Sequence, residues 1–282
     1  MTKLSDVGQD KAGRDYWNHA WDDPSLPGVW NVDSKGVGNY VERAFFTYLA
    51  EFFGNNGLIG CDKELVEVGC ARSQVLPVLA KRFGMKVAGI DYSPNGCEQT
   101  RLILGREGVA GEVHCSDIFD IPKQLVGKFD VVISFGLIEH FSDTNAIVSA
   151  LAKLLKPGGM IFTNIPNMRG VPGLVQKKMN RAIYDIHVPL TPNEMRDAHG
   201  KAGLNILDCD YFLSNNFGVL NLGESRTKAL GWWFRKIILA VLARVSMSVW
   251  LVERLVGEMP VGRIFSPYIN CVALKPAERN RP

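Results

Sequence analysis

Two short apolar runs, each carrying an acid into a turn, constrain this chain more than any other feature in it. Glu64 to Ser73 reads as a buried strand that passes through Glu67 to Gly69 and a tight turn of small residues. A helix is expected from about Ser73 to Phe83, because Val75, Leu76, Val78 and Leu79 fall at helical spacing. A second strand, Val87 to Tyr92, is closed by Asp91. That acid stands 24 positions after Glu67, near the roughly 20-residue spacing at which a doubly wound sheet sets a carboxylate against a ribose. A nucleoside cofactor is therefore expected. A nicotinamide fingerprint would repeat Gly at the third and sixth positions counted from Gly69, where this sequence has Ala71 and Gln74, so the dinucleotide reading is weak.

The same alternation continues downstream. Strands are expected over 111–116, 129–135 and 160–165, with helices over 94–106 and 144–155. A helix over 191–202 starts with Thr191 as cap, Pro192 in the first turn and Glu194 three residues on, and it stops at Gly203. Leu204 to Leu213 and Ser266 to Leu274 read as the last two strands. Strands interleaved with helices imply an α/β fold on a mainly parallel sheet.

An acid two residues before the glycine, a small-residue turn and a second acid after the next strand resemble class I S-adenosylmethionine-dependent methyltransferases. Cys115 to Asp117, Phe129 to Gly136 running into Leu137 to Phe141, and Leu155 to Gly159 leading into Met160 to Pro166 match the same pattern in order. The resemblance implies a Rossmann-like, doubly wound, seven-stranded sheet with an antiparallel last strand. It also implies S-adenosylmethionine as cofactor and S-adenosylhomocysteine as product. Carried over by position, Glu67, Gly69 and Cys70 would lie near the methionine portion, and Asp91 would hold the ribose. Asp117 would meet the adenine amino group, Tyr92 and Ile118 its ring, and Phe135 and Gly136 the sulfonium. Ala71 and Ser73 stand where glycines are common in that family.

Composition narrows the field. The chain has 282 residues, 46% hydrophobic and 22% charged, which suits one elaborated core domain over 61–275 with added elements. A net charge of +3 without basic runs gives no case for nucleic acid. The six cysteines are scattered with no metal spacing, so reduced cytoplasmic thiols and no metal are expected. The N-terminus has no apolar stretch of the signal-peptide kind.

Three regions fall outside the core. Residues 1–60 carry Tyr16, Trp17 and Trp21, either a lid over substrate or a helix packed on the sheet; a helix is expected over Tyr40 to Phe53. Residues 167–190 form an insertion containing Tyr184 and His187. Residues 214–262 form a late insertion, and 276–282 a disordered tail. In the late insertion, Arg235, Lys236, Arg244, Glu253 and Arg254 cut the apolar sequence into runs of about 7 and 8, against the about 20 needed to span a bilayer. Residues 231–256 are thus expected to be a substrate cap, a homodimer contact or an interfacial helix touching a membrane.

Methyl transfer is an in-line displacement in which positioning dominates and a base helps when the acceptor carries a proton. His140 is the leading candidate base because it follows the fourth strand at the sheet's carboxyl end, with Glu139 as an orienting or helix-holding neighbour. His187 is second. His114 reads as structural, and His199, in a helix's last turn, as a cation suited to the helix dipole. Tyr16, Trp17, Trp21 and Tyr184 are candidate substrate contacts. The sequence points to methylation of oxygen or nitrogen on a small hydrophobic or aromatic metabolite. The alternatives are a peripheral membrane enzyme acting on a lipid or quinone-like acceptor, and a non-catalytic cofactor-binding protein.

Overall fold

Seven strands form where the apolar runs lie: β1 Glu64–Val68, β2 Lys86–Asp91, β3 Gly111–Cys115, β4 Phe129–Phe135, β5 Leu155–Pro166, β6 Asn205–Phe212 and β7 Tyr268–Leu274. They belong to a computed structural model that describes residues 10–223 and 230–277. The strands lie in one sheet in the order β3-β2-β1-β4-β5-β7-β6. β1 pairs in parallel with β2 and β4, while β7 slots between β5 and β6 and runs antiparallel to both. The carboxyl ends of β1, β2 and β4 therefore gather on one side, where the connecting turns can build a site.

The helices are α1 Arg14–Ala20, α2 Tyr40–Asn55, α3 Leu76–Phe83, α4 Pro94–Arg106, α5 Thr144–Leu154, α6 Val171–Met179, α7 Arg181–Asp185, α8 Pro192–Lys201 and α9 Leu230–Val256. Strand alternation sorts the core between the two faces of the sheet. Leu65, Val131, Ile133 and Phe162 pack with Phe45, Leu49 and Phe53 of α2 and with Leu76 and Leu79 of α3. Val66, Val132 and Ile161 pack with Ile147 and Leu151 of α5 and Met195 of α8. α8 carries the expected capping box between Thr191 and Glu194.

Most boundaries agree with the sequence reading to within a residue or two. Two differ for a physical reason. α3 begins at Leu76 rather than Ser73, because the Ser73 hydroxyl is engaged with Glu67 and with the Leu76 amide. β5 begins at Leu155, since Leu155 pairs with Phe129 ahead of a register shift and Gly158 takes φ 80° in the turn read as Pro-Gly-Gly. The N-terminal region divides between its two readings: α2 packs on the sheet, while α1 lies over the carboxyl ends. Residues 278–282 of the expected tail, residues 224–229 of the late insertion and residues 1–9 lie outside the described residues.

Gly89 of β2 shows how tightly the floor of the site is packed. A Cβ there would come within 2.5 Å of the Cys70 Sγ, and Cys70 is fully buried. Gly89→Ala is expected to cost about 1–3 kcal/mol by overpacking, read as a lower urea midpoint at unchanged slope.

Candidate active site

A cleft of about 530 Å³ opens where the turns after β1, β2 and β4 meet α1 and the segment after β5. Its floor is set by local geometry. Gly69, at φ 77°, turns the chain out of β1, and its amide and that of Cys70 both donate to the carbonyl of Ile90 in β2. Arg72 adopts φ 57°, and its guanidinium donates to the carbonyl of Ser25.

Two acids stand on this floor. Asp91 accepts from the Ser93 amide (2.8 Å) and the Ala71 amide (3.1 Å), one on each oxygen, which leaves lone pairs for a ligand's hydroxyls. Glu67 is buried and accepts from the Ser73 hydroxyl. Desolvation raises the Glu67 carboxyl to about 8, with the Asp91 charge adding to the rise and the Ser73 bond opposing it. Burial raises Asp91 too, against the amides of Ser93 and Ala71.

At the other end, Gly136 turns β4 outward at φ 61°, and Glu139 and His140 follow in a short 3-10 turn. The turn is tied on both sides: Lys11 donates its amide to the His140 carbonyl (2.8 Å) and Val188 donates to the Glu139 carbonyl (2.6 Å). Glu139 is 1% exposed, and burial pushes its carboxyl up to about 8. The rings of His140 and His187 lie 4.5 Å apart, and Trp17 meets His140 edge-on at 4.8 Å. Burial lowers His140 and takes His187 down to about 3, so both imidazoles are neutral at pH 7. Trp30, Phe45 and Phe135 wall the cleft between the two ends.

The structure thus brings together Glu67, Gly69, Asp91, Tyr92, Ile118, Phe135, Gly136, Glu139, His140, His187, Tyr16, Trp17 and Trp21 around one space. Three expected residues stand elsewhere. Cys70 is packed beneath the turn against Gly89 rather than lining the cleft. Tyr184 lies under the Lys177 ammonium, 5.1 Å from its ring centre, and Ile183 and Ile186 of the same segment face the cleft instead. Asp117 is exposed at the rim, where its Oδ1 caps a 3-10 turn by accepting from the Phe119 amide (2.9 Å). His199 is not the helix-end cation expected: it is fully buried, bonded to Thr163 Oγ1 (3.0 Å), and burial lowers it to about 4.

Sequence reasoning missed Asp10, which takes hydrogen bonds from the Trp17 indole (2.8 Å) and the Tyr92 hydroxyl, and so clamps the aromatic segment to β2. No local signal marks it. Asn164 and Tyr268, which line the cleft from paired strands β5 and β7, were also missed; a polar residue in an otherwise apolar central strand was the available clue.

Residues 66–163 match the family model described as a methyltransferase domain. A ubiquinone biosynthesis O-methyltransferase of Neisseria meningitidis serogroup A is 31% identical over 157 residues, covering 52% of this chain and 66% of that protein. In three dimensions the chain is similar to a geranyl diphosphate C-methyltransferase from Streptomyces coelicolor, solved with magnesium, geranyl diphosphate and S-adenosylhomocysteine. That likeness has a TM-score of 0.58 at 16% identity, over 93% of this chain and 97% of the other. It is similar also to phosphoethanolamine N-methyltransferase 2 of Haemonchus contortus, solved with S-adenosylmethionine, at a TM-score of 0.55 and 16% identity over 82% of this chain and 53% of the other. At such identities the structural likeness is one of fold.

Glu67 gives a test of the floor's electrostatics. Its folded-state pKa lies above the unfolded value of 4.5, so between about pH 4.5 and 8 the folded chain holds a proton that the unfolded chain has lost. Stability of the ligand-free protein from this group is therefore present below that window and falls as pH rises through it. Glu67→Gln is expected to flatten this part of the profile of urea midpoint against pH; an unchanged slope would mean that Glu67 is ionised in the fold.

Proposed function

The chain belongs to the class I S-adenosylmethionine-dependent methyltransferases, and from that premise we propose that it moves a methyl group to an oxygen or nitrogen of a small, largely apolar or aromatic acceptor. One observation carries the reading: the acid-and-glycine floor and the Glu139–His140–His187 cluster share one continuous, aromatic-walled cleft. A protein that only bound the cofactor would have no need of that second cluster.

The residues present fit the cofactor. Asp91 has free lone pairs for ribose hydroxyls, and Tyr92 and Ile118 offer apolar contact for the base. At the sulfonium end, a Cβ added at Gly136 would meet nothing nearer than Glu139 Oε1 at 3.6 Å. When bound, S-adenosylmethionine supplies an electrophilic methyl group on a sulfonium. The chain's own part is positioning and proton handling. The aromatic wall orients the acceptor and excludes water, which is worth about 7–11 kcal/mol in well-oriented systems. His140 Nδ1 faces the Ile186 carbonyl at 3.1 Å, so in the neutral ring it carries the hydrogen and Nε2 is the basic atom. A proton leaving the acceptor's hydroxyl or amine is taken up at this cluster as the new bond to carbon forms.

A peripheral membrane contact through α9 is the second reading. No helix among the described residues is long and apolar enough to cross a membrane. α9 nevertheless turns Trp233, Phe234, Ile237, Ile238, Val241 and Leu255 to solvent, and Val261, Ile264 and Phe265 extend the apolar surface. Lys236, packed over the Trp232 ring at 4.0 Å, together with Arg235 and Arg244 adds positive charge along the same helix, as an anionic lipid surface would require. Such a surface would give a lipid-soluble acceptor a route to the cleft.

Two measurements test these readings. Calorimetric titration with S-adenosylmethionine should give saturable binding to the wild type, lost in Asp91→Ala; equal binding by the variant would remove Asp91 from the site, and none by the wild type would oppose the methyltransferase reading. In flotation, the wild type should rise with vesicles of anionic phospholipid, less so at high salt or with neutral vesicles, and Phe234→Glu with Ile238→Glu should stay in the aqueous fraction. A wild type that never floats but elutes as a dimer, with the double variant monomeric, would assign the face to a second copy.

A further inference from the structure

Two imidazoles and a buried carboxyl meet at the inner end of the cleft, and among the described residues no hydrogen bond joins the carboxyl to either ring. His140 Nδ1 lies 3.1 Å from the Ile186 carbonyl and His187 Nδ1 2.6 Å from the Ile183 carbonyl. A carbonyl only accepts, so each neutral ring carries its hydrogen on Nδ1 and presents a lone pair at Nε2. Beside them neither carboxylate oxygen of Glu139 has a hydrogen-bond partner, although the residue is 1% exposed. Glu139 Oε1 is 3.9 Å from His140 Nε2, and one ligand atom from each of the three residues falls within 4.8 Å of the others. A buried carboxyl without a partner, set beside two imidazole lone pairs, is unfavourable unless it keeps a proton or a cation sits among the three.

We propose that Glu139, His140 and His187 form a site for one divalent first-row transition ion, with an open coordination position facing the acceptor end of the cleft. The donor set decides the class of ion. Two imidazoles and one carboxylate suit zinc, iron, cobalt or manganese, whereas magnesium and calcium favour all-oxygen shells. The Nδ1–H bonds to Ile186 and Ile183 are the outer contacts that orient metal-binding histidines and fix their tautomer. Metal bonds of about 2.0–2.2 Å need ligand atoms about 3.3 Å apart in tetrahedral geometry, a closure of about 0.6 Å between Glu139 and His140 and of up to about 1.5 Å for the widest pair in the cluster. All three residues line the cleft, so the remaining position faces the substrate space.

The site deepens the methyltransferase reading by naming the acceptor group it would favour, a hydroxyl. An ion there lowers the pKa of a bound hydroxyl oxygen. With the ion bound, His140 Nε2 is a ligand and no longer the base it is in the ion-free cleft, so the hydroxyl's proton passes to solvent, the oxygen–carbon bond forms as the sulfur–carbon bond breaks, and no atom changes oxidation state at the metal.

The untagged full chain, stripped with a chelator, would be dialysed against zinc and separately against cobalt, alongside Glu139→Gln and His187→Ala. The wild type is expected to retain about one ion per chain and to give a visible cobalt absorption band. Each variant should bind at least about tenfold more weakly, and excess magnesium should not displace the zinc. Retention of no ion by the wild type, equal retention by the variants, or ready displacement by magnesium would overturn the proposal. Calorimetry with S-adenosylmethionine on the same samples separates the two readings. Unchanged cofactor binding by His187→Ala would confirm that the variant is folded, whereas absence of cofactor binding by the wild type would count against the methyltransferase reading and leave the metal result standing by itself.

Discussion

The bonds that carry the turn after β1 across to β2 are the constraint on which the rest of the site depends. Gly69 and Cys70 both donate to Ile90, and Ala71 donates to the Asp91 side chain. With the strands already in register, these bonds leave the turn one path, and that path needs left-handed backbone at both Gly69 and Arg72. At Gly69 this carries little penalty; at Arg72, with its Cβ, it costs about 1–2 kcal/mol. The Arg72 bond to Ser25 and the Ser73 bridge between Glu67 and Leu76 offset it. The strained residue thus joins Asp10 and Gln99 in fastening the N-terminal segment over the cleft.

Burial acts on both ends of the cleft, with different consequences. Glu67 and Glu139 are equally enclosed, and desolvation raises both carboxyls to about 8. Glu67 has a donor in Ser73, so its cost is partly met inside the protein. Glu139 has none, and beside it lie two imidazoles held in the Nδ1–H tautomer by backbone carbonyls. A protein interior rarely leaves such a group unpaired. The acid of the floor is thus paired within the fold, and the carboxyl of Glu139 is not.

The sheet was legible because its signals are local. Apolar runs of strand length, a glycine after β1 and acids near the ends of β1 and β2 are visible in a window of thirty residues, and the strand and helix bounds follow from them. The cofactor end of the cleft was legible for the same reason, with Cys70 the exception: which side of a turn a small residue faces is decided by Gly89 on the neighbouring strand, not by the turn. Tyr184 failed similarly, since a helical turn shows only part of its surface to a cleft and here that part is Ile183 and Ile186. His199 misled because helix position suggested a charge while tertiary burial against Thr163 removed it. The meeting of His140 with His187 joins segments 47 residues apart, and Asp10 bonds to a residue 82 positions away. Contacts of that reach leave no periodic trace.

α9 shows the limit from the other direction. Its attachment to the domain uses Ser246, Trp250 and Glu253, one residue per turn along a single stripe: Ser246 accepts from the Phe217 amide, Trp250 stacks on Tyr40 and donates to Asn215, and Glu253 accepts from the Tyr40 hydroxyl. Two of those three side chains are polar, so the helix is moored largely through hydrogen bonds, while much of its aliphatic surface points outward. In an ordinary surface helix the apolar stripe faces the core and the polar one the solvent. A sequence window around 231–256 reveals that apolar and charged residues are interleaved, but the same interleaving serves a buried cap as well as an outward face. The bonds to Tyr40, Asn215 and Phe217, with that of Arg254 to the Lys35 carbonyl, decide which side is turned in, and they leave much of the apolar side facing away from the domain.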